Sequence, residues 1–375
     1  MLNVTLRNTY EYAELSKAYR DARKHKRRKA TALEFEYRQE QNLRELSRKL
    51  TSGQYSMRPA KVFAVDYPKP REVWACDFED RIVQHAVCND IMPAIESTFI
   101  EHSFSCIKGR GTGAAIHHAE RCARRATRGW SKPALALQID IANFFCSINR
   151  KKLYELFVEK IGENSLTANI LKKVYSNDPT LTCVYGGVLP LGIVPTRKSL
   201  FHTREDTGLA IGWLMSQLGS NVYLDALDKF VKHDLKIKYY ARYVDDILIF
   251  GHDKEELKSI SISIDNWLAG YRCLRLHPEK KHITNVHEGV DFVGAVILPW
   301  RTVPRKSTSL RAIDAARRVA SPHAATKDIA GLNSYLGLLR SMQSYYLRRT
   351  LCNIARKNPL IRCDAAFTKI FTQHS

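Results

Sequence analysis

The spacing of apolar residues predicts a chain in which helices and strands alternate. Apolar positions recur at roughly helical spacing through residues 10–52 without a proline, and again along one face of residues 78–96. Short apolar runs bounded by turn residues predict strands, including a pair joined by a tight turn at 238–250. The other strands are predicted at 60–73, 134–141 and 289–298, and the other helices at 113–128, 211–233, 253–269 and 309–375. Residues 176–207 have no regular pattern, and the mixture indicates an α+β or an α/β protein.

The chain is long and apolar enough to form a core, and its charge is unbalanced. Its 375 residues are 45% hydrophobic, which suits one large domain or two to three subdomains. The 59 Lys and Arg residues outnumber the 38 Asp and Glu residues, which gives a net charge of +21. Such a protein attracts polyanions, and the clustering of its positive charges favours a nucleic-acid partner over a merely basic surface.

A run of positive residues lies inside the first predicted helix, at positions 23–29. Six formal charges in seven residues repel one another on a helix, and a phosphate backbone would relieve that repulsion. We therefore predict a nucleic-acid contact here, with a solvated loop or a frayed helix end as the alternative. The charged residues of the run are Arg23, Lys24, Lys26, Arg27, Arg28 and Lys29.

The cysteines and the N-terminus argue against several classes of protein. The nine cysteines include no C-x-x-C pair, which argues against a zinc ribbon, and their odd number and irregular spacing argue against a disulfide framework. The N-terminus has no apolar signal core, and no apolar run approaches the roughly 20 residues that cross a bilayer. We expect a soluble, cytoplasmic protein without a membrane partner.

Two adjacent carboxylates, Asp245 and Asp246, interrupt the apolar run at 238–250. Bare charges are costly to bury among residues such as Ile247 and Leu248, and the hard oxygen atoms of aspartate suit Mg²⁺. In a hairpin turn, one or both of these side chains can reach a cation. The alternative is an ordinary Asp-Asp turn on the surface.

A third aspartate, Asp140, follows the apolar strand that begins near residue 134. An aspartate at a strand end is usually a helix cap. A neighbouring strand would instead present it beside Asp245 and Asp246. Three carboxylates on adjacent strands can hold two metal ions about 4 Å apart, which is the arrangement used for in-line nucleotidyl transfer.

These segments resemble two motifs of the reverse transcriptase family. Residues 137–148, LQIDIANFFCSI, are similar to its palm motif A, and residues 243–246, YVDD, are similar to its motif C. The resemblance implies an α+β right-hand polymerase with fingers, a palm of antiparallel sheet plus helices, and a helical thumb. It also implies two Mg²⁺ ions per active site, or Mn²⁺, held by Asp140, Asp245, Asp246 and the carbonyl of Ile141.

The resemblance covers roughly residues 45–350 and implies further roles. Phe145 matches the aromatic steric gate that selects dNTPs, whereas in the alternative both Phe144 and Phe145 belong to the core. The residues implied to bind the dNTP are Lys69, Arg71, Arg110, Phe145, Ile211, Gly212, Gln217 and Lys280. Those implied to bind nucleic acid, besides the basic run, are Arg81, Gln84 and Tyr243.

The resemblance also divides the chain into parts. Residues 1–60 are expected to form a basic helical extension, 61–135 the fingers, and 136–298 the palm, with a fingers insertion at about 150–207. Residues 299–375 are expected to form the thumb. These boundaries predict that the nucleic acid contacts basic helices at both ends of the chain.

The implied activity is synthesis of cDNA from dNTPs on a dedicated, structured non-coding RNA. The segment with Ile211-Gly212 and Ser216-Gln217 is similar to bacterial or phage enzymes of diversity-generating retroelements and of related antiphage defence systems, although Trp213 departs from their pattern. An accessory protein or second subunit is an expected partner. The alternatives are template-independent or protein-primed DNA synthesis, and an inactive RNA-binding homologue, against which the intact acidic trio argues.

Overall fold

A computed structural model describes residues 7–24, 26–27, 29–66 and 69–372. The α-helices of the described residues are α1 (Tyr12–Arg23), α2 (Ala30–Tyr37), α3 (Gln39–Thr51), α4 (Phe78–Glu96), α5 (Thr112–Ala126), α6 (Phe144–Ser147), α7 (Arg150–Ile161), α8 (Leu166–Ser176), α9 (Leu214–Lys229), α10 (Lys254–Arg272), α11 (Lys306–Val319), α12 (Thr326–Leu339) and α13 (Tyr345–Ala355). The strands are β1 (Lys61–Val65), β2 (Arg71–Ala75), β3 (Leu135–Ile141), β4 (Val184–Tyr185), β5 (Tyr239–Tyr243), β6 (Asp246–Gly251), β7 (Leu276–Asn285), β8 (Val290–Phe292), β9 (Ala295–Leu298), β10 (Arg301–Pro304), β11 (Ile361–Cys363) and β12 (Ile370–Thr372).

The chain divides into two compact units. The first unit comprises the described residues of Met1–Ile100, Ile141–Lys229 and Ile264–His277. The second unit comprises those of Glu101–Asp140, Phe230–Ser263 and Pro278–Ser375. Within the described residues, no helix has both the length and the apolar character that a membrane crossing requires.

A long helix, α4, organises the core of the first unit. It begins after Asp77, whose side chain accepts a hydrogen bond from the backbone N–H of Glu79 at 2.9 Å and so caps the helix. Ile82 and Ile91 on this helix are fully buried, and α1, α8 and α9 pack against it. Burial of each such side chain stabilises the fold by about 1.5–3 kcal/mol. The helix predicted at 78–96 is confirmed.

The first unit also contains a three-stranded sheet. Strand β1 lies between β2, which runs antiparallel to it, and the short strand β4, which runs parallel to it. The segment predicted to be extended at 60–73 is therefore a hairpin, and two residues of its turn, Tyr67 and Pro68, lie outside the described part of the chain.

The second unit is built on a four-stranded sheet in the order β5-β6-β3-β7. Strands β5 and β6 form the hairpin predicted at 238–250, and β3 is the strand predicted at 134–141. Helix α5 packs on this sheet through small buried residues, Ala115, Ala119 and Ala123. Small side chains allow the helix backbone to approach the strands closely. Helices α11, α12 and α13 enclose a second core of alanine and leucine side chains.

Residues 10–52 do not form the single helix that their spacing predicted. They form α1, α2 and α3; Arg23 is the last residue of α1, and the described residues Lys24, Lys26, Arg27 and Lys29 lie between α1 and α2. Like charges three and four residues apart destabilise a helix, so the run interrupts it. His25 and Arg28 of this run lie outside the described residues.

Two other predictions of secondary structure were wrong. Residues 289–298 form the hairpin of β8 and β9 and not one strand, because Val293 and Gly294 both have positive φ, 50° and 84°, as a tight hairpin turn requires. The helical pattern predicted from 309 to the end stops at Ala355, and β11 and β12 follow as an antiparallel pair.

A buried carboxylate in the first unit makes stability depend on pH. Asp80 accepts hydrogen bonds from the Tyr55 hydroxyl at 2.8 Å and from the Arg58 backbone N–H at 3.0 Å, yet burial raises its pKa from 3.8 to about 7. The folded chain therefore keeps a proton on Asp80 that the unfolded chain releases. Its contribution to stability is present at low pH and is lost as pH rises through the folded pKa.

We expect Asp80→Asn to reduce the dependence of the unfolding free energy on pH. Between about pH 5 and pH 8, the wild type should lose on the order of a few kcal/mol of unfolding free energy that the variant keeps. Thermal and urea melts across that range measure the difference. The exposed Glu34 provides the control, since Glu34→Gln should keep the wild-type profile. Parallel profiles of Asp80→Asn and wild type would contradict the raised pKa.

Candidate active site

Two of the three predicted carboxylates lie directly opposite each other in the sheet of the second unit. Strand β3 pairs antiparallel with β6 in a register that sets Asp140 across from Asp246. Residues paired in this way point to the same face of the sheet, with Cβ atoms about 4.5–5.5 Å apart. Two aspartates that are distant along the chain thus meet at one end of two buried strands.

Asp245 lies in the two-residue turn that joins β5 to β6. Tyr243 pairs with Asp246, so the turn consists of Val244 and Asp245. Val244 has a φ of 58°, a left-handed conformation that a β-branched residue rarely adopts. The buried guanidinium of Arg242 donates a hydrogen bond to the Val244 carbonyl at 3.0 Å and supports this turn. Backbone strain of this kind is common at functional sites.

The three carboxylates carry more negative charge than their neighbours neutralise. The Nζ of Lys280 lies 2.6 Å from Oδ2 of Asp140, and these two residues form an ion pair. Burial and the charges of Asp246 and Asp140 raise the pKa of Asp245 to about 7. Burial and the adjacent Asp140 carboxylate raise the pKa of Asp246 to about 6, although Asp246 remains open to solvent on one side. A further cation would relieve this repulsion.

The donor chemistry fits a hard divalent cation. The side chains that converge here offer carboxylate oxygens, the ligands that Mg²⁺ prefers. Among the described residues, however, no three His, Cys, Asp or Glu side chains form a ready-made metal cluster. Lys280 instead provides the positive charge beside Asp140. The ligand roles of the three aspartates and of the Ile141 carbonyl therefore stay a prediction.

A cavity of about 340 Å³ opens beside the carboxylates within the second unit. Its size suits a small-molecule group. Arg305 reaches this cavity and forms an ion pair with Asp291. The residues that line it are Gln138, Ile139, Asp140, Asp246, Ile247, Lys280, His282, Asp291, Phe292, Val293 and Arg305. The lining contains both positive side chains and carboxylates, in the ion pairs Lys280–Asp140 and Arg305–Asp291.

In the first unit, the predicted dNTP-binding residues Ile211 and Gly212 lie against strand β2. The backbone N–H of Trp74 on β2 donates to the carbonyl of Ile211 at 2.8 Å. Gly212 has a φ of 116°, and a Cβ there would lie 2.8 Å from the Trp74 carbonyl oxygen. Only glycine fits this close approach. Residues 211 and 212 therefore lie against the strand that begins with Arg71.

Phe144 and Phe145 have different environments in the first unit. Phe144 is buried and Phe145 is half-buried, and their ring centroids lie 5.5 Å apart. The carbonyl of Phe145 accepts a hydrogen bond from Leu209 at 2.8 Å, which ties it to the segment before Ile211. One phenylalanine is thus core and the other is partly accessible, and the steric-gate role of Phe145 stays a prediction.

Comparison with known proteins decides the family. The family model described as reverse transcriptase (RNA-dependent DNA polymerase) matches residues 66–297, more than half of the chain. The chain belongs to the reverse transcriptase family. Membership indicates RNA-directed DNA polymerase activity, a nucleotidyl transfer with an RNA template and a DNA product. The predicted α+β right-hand polymerase class is confirmed.

Relatives of this reverse transcriptase include one bacterial protein and two solved telomerases. Protein YkfC of Escherichia coli strain K12 is 23% identical over 291 residues, 68% of this chain and 70% of that protein. Apo telomerase of Candida tropicalis, truncated from its C-terminal domain, is 12% identical with a TM-score of 0.45, over 71% of this chain and 60% of that chain. Telomerase of Candida albicans in complex with the TWJ fragment of telomeric RNA is 10% identical with a TM-score of 0.48, over 82% of this chain and 55% of that chain. The reverse transcriptase thus spans less than two thirds of either telomerase chain.

One predicted nucleic-acid contact of the reverse transcriptase is wrong. Gln84 on α4 is 1% exposed, and its Oε1 faces the backbone N–H of Met215 at 3.4 Å. A side chain buried in the core of the first unit cannot reach a nucleic acid. Its neighbour Arg81 is half-buried, and its Nε donates to the Ala22 carbonyl at 3.0 Å. The sequence placed both residues on α4 without showing which one faces inward.

The basic run has a mixed environment. Arg23 pairs with Glu36, and Lys24 pairs with Asp21 at 2.7 Å, so acidic neighbours already neutralise both. Lys26, Arg27 and Lys29 are exposed. These three residues carry the prediction of a phosphate contact, while Arg28 lies outside the described residues.

The four remaining predicted site residues have different environments. Lys69 and Gln217 are exposed in the first unit. In the second unit, Arg110 is half-buried and donates from Nη1 to the Ser103 carbonyl at 3.2 Å, and the Tyr243 hydroxyl lies 3.1 Å from Thr112 Oγ1. Their contacts with substrate or nucleic acid stay predictions.

Sequence reasoning missed three candidate residues. Lys61 lies on the same face of its sheet as Arg71, because Val65 pairs with Arg71 and alternate residues of β1 share a face. His282 and Arg305 line the cavity beside the carboxylates. The alternation along β1 is a signal that would have found Lys61, but Arg305 depends on the hairpin of β8 and β9, which the pattern did not show.

The ion pair of Lys280 with Asp140 leads to a prediction about metal affinity. Lys280→Met removes the competing positive charge, so Mn²⁺ should bind more tightly to the purified protein. Because the Lys280 side chain is 45% exposed, solvent weakens this competition, and we expect only about a twofold to fivefold change in affinity. Electron paramagnetic resonance of free Mn²⁺ during titration measures it.

The matched control for this titration is Lys281→Met. Lys281 is the exposed next residue of β7 and points to the opposite face of the strand. It should leave the affinity for Mn²⁺ unchanged. Equal Mn²⁺ affinity of Lys280→Met and the wild type would show that Lys280 does not compete for Asp140.

Proposed function

We propose that this reverse transcriptase makes cDNA from a dedicated structured non-coding RNA, with Asp140, Asp245 and Asp246 as the ligands of two divalent ions. The observation that carries the proposal is the register that sets Asp140 opposite Asp246, one residue from Asp245. When bound, Mg²⁺ or Mn²⁺ supplies the positive charge that activates a primer hydroxyl and stabilises the pyrophosphate leaving group. The carbonyl of Ile141 is a further proposed ligand.

The protein's own side chains bind and orient the substrates. In the second unit, Lys280, His282 and Arg305 present positive or protonatable groups to the cavity, where they can hold phosphate oxygens. In the first unit, Lys61 and Arg71 share one face of a sheet and suit a triphosphate.

The remaining assigned residues would set the choice of nucleotide. Phe145 would exclude the ribose 2′-hydroxyl, and Ile211 and Gly212, held against β2, would support the incoming base. Gln217 is exposed on α9 for a contact with the base or template. The exposed Lys26, Arg27 and Lys29 would bind the backbone of the template RNA, a contact that weakens as salt increases.

The segment with Ile211-Gly212 and Ser216-Gln217 supports a bacterial or phage setting in a diversity-generating retroelement or an antiphage defence system. Sequencing of the RNA and DNA that co-purify with the protein separates these settings. A single abundant RNA with matching cDNA is expected in both. A neighbouring variable repeat and accessory gene would identify the retroelement, and their absence beside the RNA gene would identify the defence system.

Primer extension tests the activity itself. With Mg²⁺ and dNTPs, the wild type should extend a DNA primer on an RNA template and make nothing without a template. Product without a template would support template-independent synthesis, and DNA covalently attached to the protein would support protein priming. Binding of RNA without any product under all these conditions would identify an inactive homologue.

A further inference from the structure

Three aromatic side chains pack one against the next and end at the surface of the first unit, with the Trp74–Phe201 pair tilted and the Phe201–Tyr185 pair stacked. Val62 pairs with Trp74 on one side and with Tyr185 on the other, so the three residues form one row on one face of the sheet. Phe201 packs over this row, with ring centroids 5.3 Å from Trp74 and 6.0 Å from Tyr185. Trp74 is fully buried, whereas Tyr185 is 67% exposed. The stack therefore begins in the core and finishes with a ring open to solvent.

The exposed ring is held rigidly in place. It lies nearly parallel to Phe201, with 13° between the ring planes. The backbone on both sides is fixed to β1, because the N–H of Val184 donates to the Ala60 carbonyl at 2.9 Å and that of Gly186 donates to the Val62 carbonyl at 2.8 Å. A ring ordered before binding loses little conformational entropy when a ligand packs on it.

The segment around Tyr185 is apolar and exposed. Leu181 and Val188 are 81% and 100% exposed, and Val184 and Leu189 are exposed as well. Several exposed apolar side chains within one short segment mark a binding site more often than a single scattered apolar residue does. Tyr185 in this segment already has a stacking partner, Phe201, on its inner face.

The positive charge near this surface favours a negatively charged partner. Residues 179–204 contain Arg197, Lys198 and Arg204 and no Asp or Glu, and the nearest acidic residues along the chain are Asp178 on one side and Glu205 and Asp206 on the other. The basic turn Thr196–Lys198 directly precedes the turn Leu200–His202 that carries Phe201. A partner that offers flat apolar rings together with negative charge is a single strand of nucleic acid, since a duplex hides the faces of its bases.

We propose that Tyr185 is a stacking platform for an unpaired base of single-stranded RNA, with the basic residues of 197–204 near its phosphates. This inference rests on the proposed copying of RNA and adds a specific contact to it. An RNA base packed on Tyr185 would add one more ring to the series formed by Trp74, Phe201 and Tyr185. It would position the RNA strand without reading its sequence, because every base has a flat face.

The test compares binding of a fluorescein-labelled oligoadenylate of about twelve nucleotides to wild type and Tyr185→Ala by fluorescence anisotropy. Loss of one stacked base, worth about 1–3 kcal/mol, should raise the Kd by about 5- to 150-fold. Tyr185→Phe keeps the ring and should bind like wild type. The dependence of Kd on salt should be the same for all three proteins, because no charge is removed.

Matched controls separate stacking from a general effect on the surface. Leu181→Ala removes another exposed apolar side chain of the segment and should leave the Kd nearly unchanged. An abasic oligomer of the same length should bind wild type and Tyr185→Ala equally. Equal oligoadenylate affinity of Tyr185→Ala and wild type would overturn the inference and leave the apolar segment to a protein partner.

The outcome is independent of the primer-extension test. A wild type that extends primers while Tyr185→Ala binds oligoadenylate normally would refute the platform and keep the proposed function. A wild type that binds oligoadenylate through Tyr185 but extends no primer would refute the proposed function and keep the platform.

Discussion

Asp246→Asn should reduce the rate of primer extension by at least about 10³-fold. The substitution keeps the size of the side chain and removes the charge that lies opposite Asp140. Positive charge held beside the reacting groups is worth several kcal/mol in the transition state, and about 4 kcal/mol corresponds to this factor. Asp245→Ala should have an effect at least as large. Single-turnover extension of a labelled primer with Mg²⁺ and dNTPs measures both.

Two controls distinguish a loss of activity caused at the site from a loss caused by unfolding of the protein. Asp253→Asn changes a carboxylate just beyond the other end of β6 and keeps a residue that caps α10, so activity should stay at the wild-type level. Asp246→Asn should melt no lower than the wild type, because it relieves the repulsion that raises the pKa of Asp246. Full activity of Asp246→Asn would refute the two-metal assignment.

Phe145→Ala should let the enzyme use ribonucleotides. If the partly accessible ring of Phe145 collides with a 2′-hydroxyl, the steric conflict is worth about 1–3 kcal/mol, so the preference for dNTPs should fall by about 5- to 150-fold. The measurement is the ratio of kcat/KM for dGTP to that for GTP on one primer and template. An unchanged ratio would refute the gate.

The neighbouring ring provides the contrast for this experiment. Phe144 is 2% exposed, so Phe144→Ala should lower stability by about 3–5 kcal/mol, and selectivity of the folded fraction should not change. Phe145→Tyr keeps a ring of the same shape and should retain the preference for dNTPs. This pair of adjacent phenylalanines therefore separates a role in the core from a role in selection.

Much of the candidate site was predictable because its local signals are strong. The hairpin with Asp245 and Asp246 was predictable because apolar runs typical of strands lie on either side of a polar pair. The observed pairing of Tyr243 with Asp246 agrees with that prediction. The strand that carries Asp140 follows from an apolar run of residues. Which of Phe144 and Phe145 is buried did not follow, since both neighbours have the same apolar character.

The wrong predictions concern segments whose structure depends on charge repulsion or on packing with other parts of the chain, and not on the local apolar pattern alone. The helical spacing across 10–52 was correct for α1 and α3, but mutual repulsion within the basic run ended the first helix. The apolar run at 289–298 concealed a turn, because Val293 adopts a positive φ that its side chain disfavours. The role predicted for Gln84 failed because burial depends on what packs against α4.

The sequence by itself determined the family, the hairpin of acidic residues and the apolar strand before Asp140, since these depend on neighbours along the chain. Only the tertiary structure decided that Asp140 lies across from Asp246, that Lys280 pairs with Asp140, and that Arg305 reaches the same cavity. The physical reason is that strand order and register are set by the packing of both faces of a sheet, and no segment contains that information alone.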